Sequence, residues 1–188
     1  MCFINGLLFV TILIEKSLRK RKEMIVMSGM ALADFILGSG AFLLGTYRVC
    51  VSVTGHDNES ATNWECARLP PIILINMGLQ MTAVMNLVVS IDRLTSVKWP
   101  GKYQSFSAKY IKRLIAPVWL FFAASLSAML LSSYINDPPA TQTLMCLGGP
   151  FKLWYSRFQF LFIIAVEYVS VIIYIQVFVL YKKLLGNF

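Results

Sequence analysis

Met77 to Tyr103 reads MGLQMTAVMNLVVSIDRLTSVKWPGKY, and this stretch decides the fold. Its first part is an apolar helix with almost no charge, closed by an acid–base pair, Asp92-Arg93. A short basic loop follows, with Lys98, Pro100, Lys102 and Tyr103. Ionisable groups where an apolar helix leaves hydrocarbon are costly unless they sit at the interface or face a bundle interior. The plain alternative is positional: the charges snorkel into the headgroups and the basic loop fixes orientation.

Composition excludes a soluble domain. Of 188 residues, 57% are hydrophobic and 14% charged, and the mean hydropathy is +0.68. Apolar segments recur at lengths near the roughly 20 residues that cross about 30 Å of hydrocarbon. The net charge of +8 raises nucleic acid as a partner, but the basic residues lie between apolar segments and no basic face interleaves with aromatics. Nucleic-acid binding is therefore excluded as a reading, and membrane topology accounts for the charge.

Working outward, the chain divides into an all-α, polytopic transmembrane bundle forming a single domain over residues 1–188. Helices are expected at about 1–15 (a partial span), 24–47, 72–92, 112–134 and 158–181. Met1 to Ile14 has no basic region before it and no small-residue cleavage site after it, unlike a signal peptide. At about 1.5 Å per residue it is short for a span, and reads as the inner part of a helix whose outer end lies beyond this sequence. The loops after the first and third helices and the end of the fifth carry Lys16, Arg19, Lys20, Arg21, Lys22, Arg93, Lys98, Lys102, Lys109, Lys112, Arg113, Lys182 and Lys183, thirteen of the seventeen Lys and Arg residues. The other loops carry Arg48, Arg68, Lys152 and Arg157 against Asp57, Glu59, Glu65 and Asp137. The bias alternates at every loop, so Asp92-Arg93 is expected to be cytoplasmic.

The outer side then holds Asn58-Glu59-Ser60, a glycosylation sequon at Asn58. Cys66 and Cys146 both face the oxidising compartment as candidates for pairing; Cys50 is a rival partner, and two free thiols are the plain alternative. Cys2 lies within the membrane, where a packing role is expected. The second outer stretch is turn-rich through Pro138, Pro139, Gly148, Gly149 and Pro150.

Polar groups in hydrocarbon are functional candidates by default. Asp34 lies about mid-depth in the second helix, with Asn5 of the first at similar depth as a partner. Glu167 is a second intramembrane acid. Asn76 and Gln80, four residues apart, share one face of the third helix, either lining a pocket or acting as interhelical glue. Met77, Met81 and Met85 read as core packing, as does Trp119. One histidine and four scattered cysteines give no metal-ligand spacing, and no nucleophile motif, phosphate-cradling glycine loop or internal repeat is visible. The expectation is a non-enzyme.

Together these residues resemble the rhodopsin-like G-protein-coupled receptors, from their first helix to their fifth. Asn5 is similar to the family's asparagine of helix one, and Leu32-Ala33-Asp34 to its helix-two motif. Cys66 and Cys146 are similar to the disulfide linking the top of helix three to the second outer loop. Asp92-Arg93-Leu94 resembles the Asp-Arg-Tyr motif, and Pro100, Trp119 and Tyr174 also fall where the family has them. With Leu94 in place of tyrosine, IDRLTSVKWPGKY is nearest to the nematode serpentine chemoreceptors of class sx; an invertebrate peptide receptor is the neighbouring possibility.

The resemblance implies a multi-pass plasma-membrane receptor for an extracellular small molecule or peptide, with a heterotrimeric G protein and membrane lipid as partners. The ligand would lie between helices three and five, with Asn76, Gln80, Phe158 and Gln159 as pocket candidates. Asp92 would hold Arg93 in a charge-assisted pair, whose release lets Arg93 reach toward Tyr174 and the G protein. Asn5 and Asp34 would form a polar relay, with sodium as the guest at Asp34. The departures are a Cys66–Arg93 spacing slightly longer than usual, Val166 where a proline is usual, and no acid in the outer half of helix three. The motifs of helices six and seven are absent from these 188 residues, which reads as a seven-helix receptor truncated to about five helices and, without the outward swing of helix six, silent. A small transporter or channel component using Asp34 and Glu167 is the alternative.

Overall fold

The computed structural model describes residues 2–57, 59–106, 108–135, 142–146 and 153–185. Asn58, Asp137, Lys152 and the turn residues Pro138, Pro139, Gly148, Gly149 and Pro150 lie outside them. The chain begins with α1 (Cys2–Ile14) and a short α2 (Lys16–Arg19), whose first turn is capped by the Glu15 carboxylate accepting from the Ser17 amide at 3.3 Å. Next come α3 (Lys22–Val53), a strand β1 (Ser60–Ala61) and α4 (Asn63–Ala67). The long α5 (Pro70–Lys98) leads into α6 (Pro100–Ser105) and α7 (Ala108–Tyr134). Strand β2 (Gln142–Thr143) and α8 (Leu153–Leu185) complete the described elements.

The sequence sets these boundaries. Thr62 and Glu65 form a reciprocal capping box at the start of α4. Pro70 and Pro71 open α5, where missing amide hydrogens cost nothing. Pro100 disfavours a helical Trp99, so α5 ends there and α6 starts afresh. α3 continues past its apolar part until Gly55, whose φ of +76° only glycine adopts cheaply.

Four helices are long and apolar enough to cross a membrane: Lys22–Val53, Pro70–Lys98, Arg113–Tyr134 and Leu153–Leu184; Cys2–Ile14 is a shorter apolar helix. Each long helix runs past the apolar core expected from the sequence, because its flanking polar residues do not break a helix. α8 is continuous through Val166.

α5 is the hub, packing on α3, α7 and α8, while α1 lies against α3. The core joins Val26 and Ala33 of α3, Met81, Met85 and Val88 of α5, and Val118 and Phe122 of α7. Met81 and Met85 thus pack as expected. Trp119 does not: it is half exposed on the outer face of α7, edge-on to Phe122. With α7 meeting α5 through Val118 and Phe122, position 119 turns to the lipid side.

Two glycines let α3 and α5 touch backbone to backbone, the small-residue contact that membrane helices use in place of a hydrophobic drive. A Cβ at Gly78 would lie 2.6 Å from the Leu37 Cα, and one at Gly40 2.8 Å from the Ile75 amide nitrogen. Gly45, on the same α3, has nothing within 4 Å. Gly78→Ala is therefore expected to cost about 1–3 kcal/mol through overpacking. Gly45→Ala is expected to be neutral or stabilising. Thermal unfolding of both variants in detergent checks the contrast.

Candidate functional site

Polar groups are strung along α5 from one membrane face to the other. At the outer end, Cys66 and Cys146 form a disulfide with a Cα–Cα distance of 5.6 Å, while Cys50 and Cys2 are free. The disulfide ties the segment around β2 to α4, the short helix that precedes α5. Strands β1 and β2 pair antiparallel, Ser60 opposite Thr143 and Ala61 opposite Gln142. The outer end of α3 supports this ribbon. Tyr47 Oη donates to the Leu144 carbonyl at 3.0 Å, and the Arg48 guanidinium donates to the carbonyls of Met145 and Cys146, each at 3.2 Å. These donors satisfy carbonyls that an irregular segment would otherwise leave exposed. Cys2, inside the membrane, lies 3.4 Å from Ser39 Oγ in a packing contact with α3.

One level inward, α5, α7 and α8 enclose a small polar chamber. Gln80 Nε2 donates to Tyr155 Oη at 3.2 Å, and Ser125 Oγ lies 3.0 Å from the same phenol. Asn76, Gln80, Ser125 and Tyr155 are all buried. Of the four expected pocket residues, Asn76 and Gln80 line this chamber. Phe158 and Gln159 do not: Phe158 is 45% exposed and stacks behind Tyr155 at 6.4 Å. Phe158 and Gln159 follow Tyr155 by three and four residues, one turn further along α8. Tyr155 and Ser125 were not singled out from sequence, since a tyrosine near a membrane interface and a serine on a helix carry no pattern of their own.

At mid-depth two acids are satisfied separately. Asp34 accepts from Asn5 Nδ2 at 3.3 Å and from Thr82 Oγ1 at 3.5 Å. Glu167 accepts from Asn86 Nδ2 at 2.9 Å. Asn5, Asp34 and Thr82 link α1, α3 and α5. The arrangement does not fit the expected sodium ion. A hard cation needs several oxygen acceptors, whereas the Asn5 amide and the Thr82 hydroxyl both turn hydrogens toward the carboxylate.

The inner end departs most from expectation. Asp92 is 1% exposed and accepts from Tyr103 Oη with both carboxylate oxygens, each at 3.0 Å. Among the described residues Asp92 makes no ion pair with Arg93, which is exposed. Neighbouring residues on a helix point about 100° apart, so a buried Asp92 turns Arg93 away. Tyr103 is itself held: the Lys22 ammonium, at the start of α3, donates to its backbone carbonyl and sits 3.6 Å above its ring centroid. Burial first, and then the bond to Asp92, push the Tyr103 phenol well above its ordinary 10.0. Tyr174 of α8 is 44% exposed, with no described hydrogen bond, and Pro100 opens α6.

A membrane bundle whose hub helix α5 follows a disulfide-tied α4 at one end and carries Asp92-Arg93 near the other has the arrangement of a seven-helix receptor. The family model described as serpentine type 7TM GPCR chemoreceptor Srsx matches residues 2–185. The chain belongs to that family, and with it to the multi-pass proteins of the plasma membrane; a transporter reading is set aside. No curated protein matches the chain significantly.

Tyr103→Phe removes the donor from a buried carboxylate and is expected to cost about 1.5–3 kcal/mol, with part recovered when Asp92→Asn is added. The sign of the pH dependence follows from the raised phenol: the contact is fully present below pH about 10 and lost as pH climbs through the raised value. Thermal unfolding of the single and double variants between pH 6 and about 9 should show one constant difference, and an unchanged midpoint for Tyr103→Phe contradicts the assignment.

Proposed function

We propose that this chemoreceptor binds an extracellular small molecule in the outer part of the bundle and transmits the event to a heterotrimeric G protein at its inner face. The observation that carries the reading is the run of polar contacts along α5. It begins at the Asn76–Gln80 chamber under the disulfide-tied ribbon, passes Asp34 and Glu167, and ends at buried Asp92. A ligand acts by binding one of two bundle arrangements more tightly than the other. Helix α5 touches every other long helix, so a small shift at its outer end is felt at Asp92.

At that end, Asp92 is engaged by Tyr103 and Arg93 is exposed on the cytoplasmic side. The Asp92–Tyr103–Lys22 contacts fix α6 and the basic loop as one surface, and Arg93 with Tyr174 presents to the G protein. The runner-up partner class, an extracellular peptide, has no acidic or basic cluster in the chamber to meet it and ranks second.

The test uses the full-length gene product in cells with a G-protein activation reporter, screened against volatile and water-soluble small molecules. A responding ligand is expected, and Arg93→Ala is expected to lower the response at least tenfold while surface expression stays within twofold, on the order expected when a charge-assisted contact is lost. A ligand response that Arg93→Ala leaves intact contradicts the proposed coupling surface.

A further inference from the structure

The chamber between α5, α7 and α8 contains one group that its surroundings do not satisfy. Asn76 is 6% exposed, and its Oδ1 is buried without a hydrogen-bond partner among the described residues. The hydrogen bonds of its polar neighbours run elsewhere: Gln80 donates to Tyr155, and that phenol meets Ser125. A buried acceptor without a donor is a standing cost, and in folded proteins it marks the place of a water or a ligand group. The free space beside it is about 10 Å³, room for one water-sized group. The rest of the lining is apolar, with Met77, Phe122, Leu126 and Met129.

We propose that Asn76 anchors the hydroxyl of an uncharged and otherwise apolar small molecule. The inference rests on the reading that the chamber is where this receptor binds its ligand, and names the ligand's chemistry. What Oδ1 lacks is a donor, and the space admits only a compact one. A side-chain amide also exchanges its two ends by rotation, and a hydroxyl, donor and acceptor in one group, meets either end. Among the described residues no carboxylate, amine, guanidinium or imidazole lines the chamber, so a charged ligand would lose its hydration with no counter-charge in return. The apolar body needs more volume than is open, so its binding requires the unbranched thioether chains of Met77 and Met129 to turn aside.

The test measures binding directly, by saturation-transfer NMR on the full chain in lipid nanodiscs. The probes share one ring size: cyclohexanol, methylcyclohexane, cyclohexylammonium and cyclohexanecarboxylate. Cyclohexanol is expected to bind the unaltered protein and to bind Asn76→Leu about five- to tenfold more weakly, the worth of one neutral hydrogen bond. Asn76→Ala is measured beside it and decides the matter should the leucine variant not fold. The other three probes are expected to give the same signal with all variants. Equal cyclohexanol binding by the unaltered and substituted proteins, or a charged probe that distinguishes them, overturns the proposal. That result leaves the Arg93 measurement untouched, just as a failed G-protein response leaves the cyclohexanol comparison standing.

Discussion

The inner half of the molecule depends on a carboxylate that hydrocarbon and protein would otherwise reject. Asp92 is buried on the hub helix, and a buried acid persists only where donors meet its oxygens. Tyr103 supplies that donor from the following loop, and Lys22 pins Tyr103 from another helix. The start of α3 is thereby committed to one arrangement with the end of α5 and the α6 that follows it. The same rule, that polar groups in a bilayer must be satisfied from within, governs the other levels. Asp34 draws α1 and α5 onto α3, and Glu167 draws α8 onto α5.

The outer end is organised by a different device. The disulfide holds a short ribbon over the bundle, and Tyr47 and Arg48 hydrogen-bond its carbonyls from the top of α3. The tied segment has a small apolar core of its own, in which Ala61, Cys66, Ile72 and Cys146 are buried together. The disulfide-tied ribbon and the buried Asp92 thus sit toward opposite ends of one helix. Between them the close α3–α5 backbone contact at Gly78 leaves little room for one helix to move without the other.

Much of this was legible in the residues. The apolar lengths gave the spans, and Asp34 with Asn5 stood out because hydrocarbon makes every polar residue conspicuous. What escaped was pairing between residues that look ordinary alone. Asp92 was expected to bond its neighbour Arg93, yet helical geometry turns adjacent side chains apart and the true partner lies eleven residues on. Tyr155, Thr82 and Asn86 carry no spacing signal; only the fold brings them to Gln80, Asp34 and Glu167. Of the four pocket candidates the resemblance implied, Asn76 and Gln80 line the chamber, and Phe158 and Gln159 are not among its lining residues.

The central claim is that α5 runs from a disulfide-tied outer end to a buried acid at the cytoplasmic mouth. Its most direct measurement is accessibility mapping on intact cells, with single cysteines at Arg68, just before that helix, and at Lys98, its last residue. A membrane-impermeant maleimide is predicted to label Arg68→Cys on intact cells, and Lys98→Cys only after permeabilisation. Labelling of Lys98→Cys from outside would contradict the account.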